Sequence, residues 1–437
     1  PYLLSAKADA LSRIPQRQGE SAAIYQEILS KFPDHELAAG ALYSSAAAFY
    51  ESKKYEDAQK LAKQFLDNQA YKDHELRPEA LFIAAESQLF NGGQTDEGKR
   101  QQAESLYRQL LQQFPESERA GRAHLRIAWC LLETNKNDEA IKYLSGNTSS
   151  FKEAEQKAEA NLMTGQAHAR LDRLDEAIAA FDQSRKDASA WQRGDEVLIE
   201  SARALKQQDN FGEAKNRLND LLSKFKESSR RAEATFLLGE IARGESNTNE
   251  AVKRFTEVTE NFGDSNFVDP ARYVLAATYF QAEDFQKALS PLDQLLTSAS
   301  DDQLRARGQY LRGLVRQRLE QFGPASEDLT AFLASTPPAS EALDARFALA
   351  FCHIGAKKHA EAVTVLNDIL SADASYAQAD LVRYELGHAY LSQNMQAEAA
   401  DAFEQLATKH PDSPKAAEAW FHVAQHHERA AKDKTDA

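Results

Sequence analysis

A small residue, nearly always alanine, returns along most of this chain at a fixed interval of 37 residues. Ala103, Ala140, Ala177, Ala214, Ala251, Ala288, Ala325, Ala362 and Ala399 make eight equal steps, and Ser21 to Ala58 makes another. The unequal step, from Ala58 to Ala103, is 45 residues. Its eight additional residues fall around 71–76 and in the polar, Gly-rich stretch 91–98. A period of this size marks an array of supersecondary units, each too small to bury its own apolar face.

The interior of the period says what the unit is. Twelve residues before most marked alanines stands a second small residue: Ala46, Ala128, Gly165, Ala202, Gly239, Ala276, Gly313, Ala350 and Gly387, with Ala85 in the stretched unit and Ala424 near the end. Four residues after the mark comes a large apolar one, such as Tyr107, Phe181, Leu218, Phe255, Leu329 or Phe403. Eleven or twelve residues after the mark, Phe114-Pro115, Phe262-Gly263 and His410-Pro411 supply helix stops. The pattern predicts a helix–turn–helix unit, helix A then helix B, with the two small residues facing each other where the axes cross. Composition agrees: 74 residues are Ala, against 18 Gly and 12 Pro. A length of 437 residues ordinarily implies several domains. The phase predicts one continuous array over 1–437 instead, an all-α solenoid of about eleven helix pairs. An insertion near 91–100 separates the first two units from a regular stretch at 101–411, and a closing helix covers 415–432.

The pattern small–x11–Ala–x3–aromatic–x7–Pro resembles the tetratricopeptide repeat, and it is clearest at Tyr384, Gly387, Tyr390, Ala399, Phe403 and Pro411. The resemblance covers nearly the whole chain and implies a right-handed superhelix with helix A lining a concave groove. The period is three residues longer than that family's usual 34. Units ending like Leu110-Leu111-Gln112-Gln113-Phe114-Pro115 resemble bacterial cell-envelope proteins of the TolA-binding and outer-membrane-assembly lipoprotein type. That likeness implies a periplasmic or envelope location and a part in a multiprotein complex. Family members that clamp a chaperone's C-terminal carboxylate use Lys, Asn and Arg in the groove. Here those positions hold mostly Tyr, Phe, Leu and Glu, which argues against that use.

Three residues before each helix-A small residue, the side chain is expected to face the groove. This position reads Tyr43, Phe82, Leu125, Leu162, Ile199, Phe236, Tyr273, Tyr310, Phe347, Tyr384 and Phe421. Two readings stand side by side, glue between neighbouring helices A or anchors for a bound peptide. Positions one and four after the small residue add Trp129, Phe351, Tyr50, Leu132 and Phe280. The expected partner-binding residues therefore form an early patch (Tyr43, Tyr50, Phe82, Trp129) and a later one (Tyr273, Phe280, Tyr310, Phe347, Phe351, Tyr384). Between them the lining is charged, with Glu196, Arg203, Lys206, Glu233, Glu240 and Arg243. The later patch is expected to be the main binding surface for a protein or peptide, since contiguous exposed apolar surface marks partner sites. Such patches also allow self-association.

Chemistry is sparse by comparison. The sequence holds no Gly-rich phosphate loop, nucleophile elbow or metalloprotease motif, so no catalytic residue, cofactor or metal is expected and the chain reads as a non-enzyme. A net charge of −15 argues against nucleic acid. No stretch approaches 18 consecutive apolar residues, which excludes a transmembrane segment of that kind. Cys130 and Cys352 lie six units apart and are expected to be buried free thiols. His422 and His426 sit one helical turn apart and read either as a metal pair or as the solvated face of a closing helix. Arg305, Arg312 and Arg316 share a face and are expected to pair with Glu327, Asp328 or Asp344. Two rival functions stay open: a receptor for a small molecule or cell-wall fragment near Arg203, Lys206 and Arg243, and the binding region of a larger enzyme or sensor. The start at Pro1, without Met, suits a processed chain or a piece of a longer one.

Overall fold

In a computed structural model, residues 1–14 and 16–435 are described, and they form 23 α-helices with no strand among them. The chain divides into two compact units, Pro1–Ser228 and Ser229–Ala437. The first holds six helix pairs: α1 (Tyr2–Ser12) with α2 (Gln18–Lys31), α3 (Ala38–Glu51) with α4 (Tyr55–Asp67), α5 (Arg77–Gln88) with α6 (Glu97–Gln113), α7 (Ala120–Glu133) with α8 (Asn137–Gly146), α9 (Ala154–Arg170) with α10 (Leu174–Asp187), and α11 (Gly194–Gln207) with α12 (Phe211–Lys224). The second holds five pairs and a closing helix: α13 (Arg231–Gly244) with α14 (Thr248–Asn261), α15 (Val268–Gln281) with α16 (Phe285–Ser298), α17 (Asp302–Arg318) with α18 (Phe322–Ala334), α19 (Ala339–Gly355) with α20 (His359–Ala372), α21 (Ala379–Leu391) with α22 (Gln396–Lys409), then α23 (Ala416–Thr435). The eleven expected pairs are present, and the closing helix runs a few residues beyond its expected end. Within each unit every helix packs on its chain neighbours, and several helices A touch the next helix A, as α7 does α9 and α15 does α17.

Each marked alanine from Ala58 to Ala399 is fully or almost fully buried, so the 37-residue phase is a packing phase. The nearest neighbour of the small residue of helix A is a large side chain of helix B. A Cβ added to Gly165 would lie 2.5 Å from the Phe181 ring, one on Gly239 2.7 Å from Phe255, and one on Gly387 2.6 Å from Phe403. On Gly313 it would lie 2.8 Å from Leu329. The large side chain four residues past the mark thus lies against the small residue, and at Gly313 the backbone of the marked Ala325 is also within 3.4 Å. The pairings alternate in size along the chain, Gly165/Phe181, Ala202/Leu218, Gly239/Phe255 and Ala276/Leu292. In these four pairs volume removed from helix A is restored on helix B, whereas Gly313 meets Leu329.

The turn between helices A and B rests on one left-handed residue five before the mark. Lys53, Asn135, Asp172, Asp209, Ser246, Glu283, Glu320, Lys357 and Asn394 all have φ between 57° and 61°. Such a residue lets two amides reach back to the carbonyls that end helix A. Asn135 donates to Leu132 at 3.0 Å and Lys136 to Leu131 at 2.9 Å, and Glu320 and Gln321 repeat this toward Gln317 and Arg316 at 3.0 and 2.8 Å. The stretched unit uses a different solution. After α5 the chain bends through Leu89–Gly93, where Gly92 takes φ 96°. The buried Arg100 guanidinium fastens the bend, donating to the carbonyls of Gly93 (3.2 Å), Gln94 (2.9 Å) and Glu133 (3.3 Å).

Candidate functional site

The residues expected to line the helix-A face divide into buried glue and partly open rings. Phe82 and Phe347 are 7% and 6% exposed, which makes them core residues rather than free anchors. Leu125, Leu162 and Ile199 at the same position are buried as well. Tyr43, Tyr50, Trp129, Tyr273, Phe280, Tyr310 and Tyr384 are half-buried. Phe351 stands out at 36% exposure.

In the first unit the early patch is organised around a carboxylate that the sequence pattern does not reveal. Glu86 is buried on α5, and the Arg126 guanidinium of α7 donates to both its oxygens at 2.7 and 3.1 Å. The Tyr50 hydroxyl donates to Glu86 at 2.9 Å, and the Tyr107 hydroxyl also donates to it. Burial, followed by the charge of Glu86, pushes the Tyr50 and Tyr107 pKa values up. Burial works to lower that of Arg126, but the attraction of Glu86 outweighs it and holds it above its ordinary value. Tyr50 stands beside Tyr55 (5.7 Å between centroids) and Phe90 (6.3 Å), and Arg100 lies 6.0 Å from the Trp129 ring. These rings therefore belong to a tied network spanning α3, α5, α6 and α7.

In the second unit the later patch is not one continuous cluster. Tyr273 and Phe280 pack against the core of α15 and α16, with Phe280 5.5 Å from Phe285. Tyr310 stacks on Phe332 of α18 at 4.8 Å. Phe347 holds Phe351 at 4.8 Å and Tyr376 at 6.3 Å. The Tyr376 hydroxyl donates to Asp344 at 2.6 Å, and burial together with that bond raises its pKa. Tyr384 belongs to a separate group near the closing helix, 4.5 Å from His388. Tyr376 and Phe332 lie outside the expected helix-A positions, since one precedes α21 and the other ends α18. The closing helix adds two exposed rings, Trp420 at 46% and Phe421 at 60%.

The arginines of α17 pair internally, with one expected partner found and two replaced. Arg312 grips the buried Asp328 through two nitrogens at 2.6 and 2.9 Å, and Arg316 donates to it at 2.8 Å. Arg312 also donates to Asp293 at 2.7 Å. Burial opposes its charge, but these bonds keep the Arg312 pKa above its ordinary value. Asp344 is engaged by Tyr376 instead, Asp293 takes the place expected of Glu327, and Arg305 turns to Asp302 at 2.5 Å. In the first unit Arg203 pairs with Glu200 at 2.8 Å. Both thiols are free and buried, and burial pushes Cys130 up to about 12 and Cys352 up to about 11. His426 stands 5.7 Å from His427 on α23, while His422 faces inward, stacked on Phe403 at 4.6 Å.

Comparisons with known proteins agree with this architecture. Family models described as tetratricopeptide repeat match residues 94–146, and 150–190, 199–261 and 384–437. The chain carries tetratricopeptide repeats. Among solved structures, the C-terminal part of a TPR repeat-containing protein from Cytophaga hutchinsonii is similar at 14% identity and a TM-score of 0.50, over 59% of this chain and 98% of that one. A tetratricopeptide repeat protein from Parabacteroides merdae matches at 13% identity and 0.41, over 61% and 98%. PilW, a type IV pilus biogenesis factor, matches at 18% identity and 0.42, over 53% and 97%. No protein of curated function matches the sequence. Among the described residues no helix is long and apolar enough to cross a membrane.

Proposed function

We propose that this chain of tetratricopeptide repeats is a non-catalytic scaffold that holds a protein or peptide partner on the helix-A face of its second unit. The observation that carries the reading is Phe351, an exposed ring seated on the buried Phe347. A ring braced from below and open above loses little freedom when a partner covers it, which suits an anchor. Half-buried aromatics at the place of Phe347 on α15, α17 and α21, namely Tyr273, Tyr310 and Tyr384, extend the same face. Binding then consists of shape and apolar burial, with no bond made or broken. The bacterial envelope is the proposed setting, on the strength of the repeat ends that resemble envelope tetratricopeptide proteins.

The test uses single exposed rings, because replacing Phe347 together with Phe351 would unfold the site along with the binding surface. Removing a buried Phe costs about 3–5 kcal/mol. Phe351→Ser in the full chain is expected to lower the recovery of co-purifying partners from a bacterial lysate about tenfold, the loss typical of a central aromatic anchor. Thr364→Ala, on the exposed face of helix B in the same repeat, serves as the control that keeps them. The same partners recovered with Phe351→Ser at wild-type level would sink the proposal.

A further inference from the structure

The last repeat and the closing helix bring three metal-ligating side chains together across helices. His388 on α21 and Glu418 and His422 on α23 offer one ligand atom each, all within 4.8 Å of one another. His388 and His422 stand 5.3 Å apart between ring centroids with their planes at 89°. A tetrahedral zinc ion with Zn–N near 2.0 Å holds two ligating imidazole centroids about 5 Å apart, so this spacing already suits a shared ion. The carboxylate oxygen and the two nitrogens then close to about 3.4 Å from one another, a change within reach of small side-chain rotations.

A second observation points the same way. The Nε2 atom of His388 is buried and has no hydrogen-bond partner. A buried polar atom left unpaired carries a cost that a ligand would remove. The surrounding groups orient the set. His422 is stacked on Phe403 with only 16° between the planes, and the Tyr384 hydroxyl donates to one Glu418 oxygen at 2.7 Å. A bond of that kind to a ligating carboxylate is the usual support behind a metal ligand. The other Glu418 oxygen meets Lys415 at 3.4 Å, in an exposed pair that is displaced at little cost.

We propose that His388, Glu418 and His422 form a binding site for a divalent transition-metal ion of the zinc class, with water completing the coordination. Two imidazoles and one carboxylate suit Zn²⁺ and disfavour Mg²⁺ or Ca²⁺, which take oxygen sets. The site joins α21 to α23, so the ion would clasp the closing helix to the last repeat. His426, one turn along α23, lies outside it.

The experiment is calorimetric titration of the full metal-free chain with Zn²⁺, and separately with Mg²⁺. One equivalent of Zn²⁺ is expected to bind, with slower amide exchange along α23, and Mg²⁺ is expected to give no heat. His388→Ala, His422→Ala and Glu418→Gln are each expected to weaken Zn²⁺ at least about tenfold, while a His426→Ala/His427→Ala chain binds as wild type. Glu418 is exposed, so its substitution decides the matter even where loss of a histidine loosens the last repeat. No stoichiometric Zn²⁺ binding by the wild type, wild-type affinity in Glu418→Gln, or loss of binding in the His426/His427 variant would each overturn the assignment.

Discussion

Gly239→Ala is the sharpest test of how helices A and B are locked within a repeat. The new Cβ would sit 2.7, 2.9 and 3.0 Å from three atoms of the Phe255 ring. Carbon atoms pack best at about 3.5–4.0 Å, so the ring must retreat by roughly 1 Å. It has nowhere to go, being fully buried among Ala251, Val258, Ala271 and Leu275, with Phe236 5.5 Å away. Overpacking of this kind costs about 1–3 kcal/mol. Replacing Gly inside a helix by Ala returns about 1 kcal/mol, which leaves a net loss of about 0–2 kcal/mol. Phe255→Leu alone opens a void and costs about 1–3 kcal/mol. The two together recreate the Ala/Leu pairing already used at Ala202/Leu218 and Ala276/Leu292. The double variant is therefore expected within about 1 kcal/mol of wild type, with a coupling energy near 2 kcal/mol. Urea unfolding followed by circular dichroism gives the order of the midpoints. Amide exchange in α13 and α14 reads the local effect, since an array of repeats need not unfold in one step. A Gly239→Ala chain about 1 kcal/mol more stable than wild type, or a double variant no better than the sum of the singles, would refute the size-matching argument.

Further expectations follow from the same contacts. Glu86→Ala leaves the Arg126 guanidinium unpaired among buried groups and is expected to destabilise the first unit by about 3–5 kcal/mol, read by urea titration; Glu86→Gln, which keeps the shape and loses the charge, is expected to cost less. Glu320→Gly places glycine at a left-handed turn and is expected to stabilise by about 0.5–1 kcal/mol, whereas Gly323→Ala, inside α18, is expected to raise stability by helix propensity alone; melting temperatures separate these from a loss. Burial lowers the pKa of His124, His168, His353 and His388 in the folded chain. A lowered value means that the unfolded chain takes up these protons first. The histidine contribution is then fully present above the unfolded pKa of about 6.5 and is lost as the pH falls through the folded values. The melting temperature is expected to decline from pH 7 to pH 5 at fixed ionic strength and without metal, and a flat or rising profile would contradict it.

The fold was legible because burial of a small residue leaves a mark that survives every other substitution. Ala103 through Ala399 keep the phase, so helix number, order and pairing could be read directly. The turns were not legible, because Lys53, Glu283 and Glu320 adopt left-handed backbone without the glycine that usually signals it. Their conformation is set by the helices on either side. The crossing is legible only in part: Gly165 and Ala177 are both small, but period alone does not say that Phe181 fills the space beside Gly165. At the candidate site, period alone selected the helix-A positions and could not separate buried Phe347 from exposed Phe351. Glu86 is in register, one after Ala85, but a carboxylate there gives no sign of burial until its partners Tyr50, Tyr107 and Arg126 on three other helices are known. His388 escaped because its significance depends on α23, some thirty residues away in the chain.

The pairing of a small helix-A residue with a large helix-B residue also bears on how such a chain changes length. Gly165 and Phe181, or Gly239 and Phe255, are both members of a single repeat. Duplicating or deleting one 37-residue segment carries the complementary halves together, so no internal fit is broken by the event. Growth by whole units is thus nearly neutral for packing inside each unit and is judged only at the seam between neighbours. The stretched repeat shows the contrasting history. An insertion of part of a unit, between Ala85 and Ala103, required a bent segment, a left-handed Gly92 and a dedicated arginine to hold it. Copying by whole units is therefore the change of length that disturbs this packing least.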